Sequence, residues 1–185
     1  MDRVDLLRHW RFRVHRVQTG HYEAGRRYDR LHLLLGVPAI AVSALVGTAV
    51  FSSLATEKSG IAATILVGLL SVTSAVLVSL QTFLKYSELA ERHKLAGARF
   101  ADLKHRIELI AVFQPADSES LKSQLAEVEQ RWEAVREESP NIPRKIWNRI
   151  EKTMTLEKDI AVHSSFGRVA QQGAGADDED AAAQR

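Results

Sequence analysis

Two neighbouring stretches, LHLLLGVPAIAVSALVGTAVFSSLAT (31–56) and SGIAATILVGLLSVTSAVLVSLQTFL (59–84), contain no Asp, Glu, Lys or Arg, in a chain that is 26% charged overall. Only Glu57 and Lys58 separate them. A helix needs about 20 apolar residues to cross the roughly 30 Å hydrocarbon core of a bilayer, and each run is long enough. The pattern therefore predicts two transmembrane helices, 31–56 and 59–84, joined by a tight turn whose tip carries Glu57 and Lys58. A buried hairpin in a soluble protein is the competing reading. Two adjacent uncharged runs of this length argue against it, because core helices of small soluble domains carry a polar face. The mean hydropathy of -0.15 hides both runs by averaging them with charged flanks.

The flanks set an orientation. Arg3, Arg8, Arg11, Arg13, Arg16, Arg26, Arg27 and Arg30 precede the first run, and Lys85, Arg92, Lys94, Arg99, Lys104 and Arg106 follow the second. The positive-inside rule then places both termini in the cytoplasm. The first run starts too far in and is too long for a signal peptide. A net charge of +2 gives little reason to expect a nucleic-acid partner, and the absence of cysteine fits either compartment.

Outside the runs the apolar residues keep helical time. Leu7, Trp10, Val14, Val17, His21, Ala24, Tyr28 and Leu31 recur at gaps of three and four, which predicts an amphipathic cytosolic helix over 1–30. That helix packs on partner helices through this seam, or lies on anionic headgroups with Trp10 and Phe12 dipping in. Gly20 and Gly25 weaken it locally. After the second run no breaker intervenes, so one helix is expected to run on from the membrane with a seam of Tyr86, Leu89, His93, Ala96, Phe100, Leu103, Ile107 and Ile110. Pro115 ends it, and Asp117 or Ser118 caps an antiparallel partner with Leu121, Leu125, Val128, Trp132 and Val135 inward. SPNIP (139–143) turns the chain into a last helix from Arg144 to Ser165, with Ile146, Ile150, Met154 and Ile160 as its buried side. The expected fold is an all-α membrane protein, a two-transmembrane helical hairpin with a cytosolic helical bundle or coiled coil over 85–163. A small, acidic tail over 164–185 has the composition of a disordered segment.

Chemistry is harder to find. The seven histidines form no pair at i, i+4 spacing around a glutamate, and no cysteine joins them, so neither metal nor cofactor is expected. His93 sits on a seam, where an interhelical hydrogen bond or a pH-sensing role would suit it. The glycines lie inside apolar runs rather than in a phosphate loop, and no Ser, His and Asp arrangement suggests a nucleophile; the chain does not read as an enzyme. The informative pattern lies in the second run, where Thr64, Gly68, Ser71, Ala75, Ser79 and Thr82 recur at helical spacing on one narrow face. Gly36, Ala39, Ser43 and Gly47 form a shorter version in the first run. Small residues let helices approach closely in lipid, which makes the stripe a packing surface for further copies, and hydroxyls on such a face also suit the wall of a pore. In an unbroken helix this stripe and the seam that starts at Tyr86 form one surface, which would couple bundle to spans.

The ordered set HYEAGRRYDRLHLLLGVPAIAVSALVGTAVF, a second span, YSELAERHKLAGARFADLKHRIE and finally SPNIP resembles the SLATT family (SMODS and SLOG associating two-transmembrane effector domains) of bacteria. The likeness runs from about Trp10 to Ile160. It is carried by Tyr28 and His32 before Gly36 and Pro38, then by Tyr86, Ala90, His93, Ala96 and Phe100 after the second span. What the resemblance implies is a pore-forming or membrane-perturbing effector of prokaryotic conflict systems such as antiphage defence. It would act as a homo-oligomer in the lipid bilayer, silent until a nucleotide-sensing or nucleotide-synthesising partner protein signals. No fused sensor segment is visible, so the trigger is expected from a separate protein. The alternative is a non-conducting membrane scaffold that docks a cytosolic partner through its bundle.

Overall fold

The computed structural model describes residues 3–55, 60–113, 118–156 and 159. Among these the chain forms five helices and no strand: α1 (Arg3–Ala55), α2 (Ile61–Leu84), α3 (Tyr86–Val112), α4 (Ser118–Glu138) and α5 (Arg144–Thr153). The charged tip at Glu57 and Lys58, the turn with Pro115 and Asp117, Ile160 and the acidic tail lie outside the described residues. Two stretches, one within α1 and one beginning at Ile61, are long and apolar enough to cross a membrane.

The chain packs as two compact units, one of residues 1–20 with 97–185 and the other of residues 21–96. The division falls inside α1 and α3, whereas composition changes near residues 30 and 85. α1 continues through Gly20, Gly25 and Pro38 without a break.

In the first unit the seams meet. Leu7, Val14, Phe100, Leu103, Ile107 and Val128 form one buried cluster, with Trp10, Val17, Ile110, Leu125, Trp132 and Val135 packed against it. Arg99 pairs with Glu138 and Arg106 with Glu127, so α4 runs antiparallel to α3. α1 also buries a second face, which the seam does not include. Phe12 is buried, Arg16 lies over the ring of Trp147 and pairs with Glu151 at 3.2 Å, and the space beside Gly20 is taken by Ile142 and Ile150. Residues 12, 16 and 20 are one turn apart, so they present a single stripe to α5. A Cβ at Gly20 would stand 2.8 Å from Ile142 Cδ1. The glycine admits a neighbour there rather than breaking the helix.

The last helix is shorter than the sequence leads one to expect. α5 stops at Thr153, whose hydroxyl donates back to the Arg149 carbonyl at 2.9 Å, and Met154 is extended. Beyond this break, Asp159 pairs with Arg11 and lies 3.2 Å from His15 Nδ1.

In the second unit α2 and α3 are separate helices. Lys85 stands between them in the left-handed conformation, φ 46° and ψ 39°. The continuous helix expected from the absence of a breaker is therefore interrupted. As residue numbers rise along α1, those of its partners fall: His21 meets His93, Tyr28 meets Tyr86, Gly36 meets Gln81 and Ser43 meets Ser74. The arrangement is antiparallel.

Candidate functional site

The break at Lys85 decides which face of α2 turns inward. Val67, Leu70, Ser74, Leu77, Gln81 and Leu84 are its buried or half-buried positions, at gaps of three and four, and the next inward residue, Tyr86, follows after only two. Counting back from α3 through an unbroken helix leads instead to Thr82, Ser79, Ala75, Ser71, Gly68 and Thr64. All six of those are exposed. The small-residue stripe is thus not the surface on which α2 packs within the chain, nor one surface with the α3 seam. Leu70 and Leu77, by contrast, are half-buried.

The shorter stripe of α1 does face α2. Gly36 and Ala39 are buried and Gly47 is half-buried, and the Ser43 and Ser74 hydroxyls share a hydrogen bond of 2.5 Å. A Cβ on Gly36 would sit 2.9 Å from Gln81 Nε2. Ser43 and Ser74 satisfy each other in a wall made mostly of apolar side chains, with Gln81 against Gly36. On the outward side of α2, Ser79 and Thr82 donate to the carbonyls of Ala75 and Val78, one turn back. These hydroxyls are satisfied within the helix, leaving a surface that apolar surroundings accept. A Cβ built at Gly68 would meet nothing within 4 Å.

Beyond Leu84 the same unit holds a ladder of rings. Tyr86 stacks on Tyr28 (centroids 5.9 Å apart, planes at 27°), Tyr28 on His93 (5.4 Å, 20°), and His93 lies against His21 (5.2 Å). The two imidazoles are 2% and 1% exposed, with their Nδ1 atoms 3.0 Å apart. A hydrogen bond between two Nδ1 atoms needs one of them to hold a proton and the other to lack it. Burial, and next to it the charge His93 would carry, lowers His21 to about 4; burial lowers His93 too. Protonating the second Nδ1 would set two N–H groups against each other. Close backbone approach makes this site possible: a Cβ at Gly25 would stand 3.1 Å from Lys94 Cγ and 3.3 Å from the Ala90 carbonyl oxygen. Lys94 and Asp29 form an ion pair of 2.6 Å nearby in sequence.

Both histidines lie on seams legible in the sequence, at His21 and His93. A search for i, i+4 pairs within one helix cannot find a pair made across two. Tyr86, Leu89, His93, Ala96, Phe100, Leu103, Ile107 and Ile110 are all buried or half-buried, in the unit to which each belongs. Among the described residues no three His, Asp or Glu side chains stand close enough to hold a metal ion. Compared with protein-family models, curated proteins and solved structures, the chain matches none of them.

Proposed function

We propose that this chain is a two-span protein of a bacterial inner membrane that assembles with further copies and permeabilises or perturbs that membrane. One observation carries the reading. Over the 24 residues of α2, without a formal charge, only Ser74 is buried, while Ile65, Leu66, Leu69, Val72 and Val76 are each more than half exposed. Val37, Ile40, Leu45 and Phe51 do the same on α1. Such a surface is far from what a soluble monomer presents to water, and hydrocarbon satisfies it. The basic residues before Leu31 and after Leu84 favour cytoplasmic termini. The outward stripe from Thr64 to Thr82, open at Gly68, is where helices of a second copy would approach closely.

The role in conflict between bacteria and their invaders, and the partner or nucleotide signal that would release it, rest on the resemblance to the SLATT family. No enzymatic step enters the proposal. Inducible expression with a membrane-potential dye tests it: depolarisation soon after induction is the expected result. A protein that fractionates with the membrane yet leaves the potential intact would favour the scaffold instead. A C-terminal alkaline phosphatase fusion should be inactive, and activity would overturn the orientation.

A further inference from the structure

The three tryptophans of the chain, Trp10, Trp132 and Trp147, converge from α1, α4 and α5 of the first unit on one groove of about 370 Å3. All three are only half-buried: Trp10 and Trp132 pack against the core cluster yet leave part of each side chain exposed beside the groove. Trp10 meets Trp132 edge-on at 6.1 Å, Arg13 lies 5.0 Å from the centroid of Trp132, and Arg16 lies 5.1 Å from that of Trp147. Arg136 completes the basic wall, and Glu129 and Glu133 line it one turn apart.

The charges here behave differently from those on the neighbouring surface of α4. There Glu127 pairs with both Arg106 and Arg131. In the groove, Arg13, Arg136, Glu129 and Glu133 form no ion pair among the described residues, although Glu133 and Arg136 stand three residues apart on one helix. Guanidinium and carboxylate groups held apart around aromatic rings leave donors and acceptors for a molecule that carries both. A phosphate takes the guanidinium forks, and an indole face takes a flat base. Carboxylates accept from the N–H edge of a base, for which the adjacent N–H groups of guanine are the best match. The volume lies at the small end of ligand sites, enough for one nucleotide.

We propose that this groove binds a guanine mononucleotide, its base against the tryptophans and its N–H edge toward Glu129 and Glu133, with the phosphate on Arg13 and Arg136. The inference goes beyond the membrane reading and does not depend on it, since the measurement below needs no membrane potential. Isothermal titration of the full-length chain in mild detergent with GMP, guanosine and ribose 5-phosphate separates the parts. GMP should bind once per chain, and each half-ligand at least roughly tenfold more weakly. Arg136→Ala should weaken GMP by roughly tenfold while moving guanosine little, and Glu133→Gln should weaken GMP and guanosine but not ribose 5-phosphate. Both side chains are exposed, and an unchanged circular dichroism melt of each variant shows that the fold survives. No saturable GMP binding, ribose 5-phosphate binding as tightly as GMP, or GMP affinity indifferent to both substitutions would each overturn the site.

Discussion

The residues that decide most are those whose surroundings leave them one acceptable state. His21 and His93 are neutral because they are buried against each other, and their hydrogen bond exists only while one Nδ1 lacks a proton. The sign of the pH effect follows. Their folded pKa values are lowered, His21 to about 4 from 6.5, so the unfolded chain takes up protons first. Their contribution to stability is complete above pH 6.5 and is lost as the pH falls from there toward 4. Thermal unfolding in mild detergent should therefore move to lower temperature between pH 7 and pH 5. The double substitution His21→Phe with His93→Phe should flatten that dependence, and an unaltered slope would refute the account. His15 is also lowered by burial, despite its bond to Asp159, and acts in the same direction. Gly25 is a second such residue. Gly25→Val would drive branched methyls into the Ala90 carbonyl and Lys94, and should cost about 1–3 kcal/mol, read from the same melts.

At the scale of the helix, Lys85 matters more than any repeating pattern. A non-glycine residue at φ 46° carries strain on the order of 1–2 kcal/mol. Lys85→Gly should then raise stability by about 1 kcal/mol and Lys85→Val lower it, whereas in an unbroken helix the glycine would be the worse of the two. The inward face of α2 makes a paired test. Ser74→Leu should overpack the contact with Ser43 and cost about 1–3 kcal/mol of thermal stability. Ala75→Leu, one residue on but outward, should leave the melt of the single chain within about 0.5 kcal/mol and reduce crosslinked oligomers in mild detergent. Oligomers indifferent to Ala75→Leu would remove the stripe from the assembly. These elements show where the sequence is legible. The apolar runs and the seams of α1, α3 and α4 are composition and period, which survive any detail of packing. The break at Lys85 has no glycine, proline or capping residue to announce it, so a helical period carried through it joins the α3 seam to the outward stripe of α2 rather than to its inward face. The pairing of His21 with His93, and the second buried stripe of Phe12, Arg16 and Gly20, arise between helices, where no single-helix pattern records them.

In the molecule as a whole, one unit joins segments far apart in the chain. Residues 1–20 belong to the same compact unit as the segment from Gly97 onward, and Asp159 fastens the arrangement through Arg11 and His15. Its carboxylate is nearly buried and accepts from both, so Asp159→Ala should cost about 1.5–3 kcal/mol, measured by denaturation in detergent. A loss under about 0.5 kcal/mol would mean that the contact is incidental. This construction also sets a timetable. Chains emerge from the ribosome at about 5–20 residues per second, so the N-terminal segment waits several seconds or more for α3, α4 and α5 to be made. In that interval both apolar runs have been made. The two apolar runs are thus made before the first unit can close, since α4, α5 and Asp159 all follow them in the chain. A nascent chain stalled before Asp159 would carry both apolar runs without the fastening of Arg11 and His15.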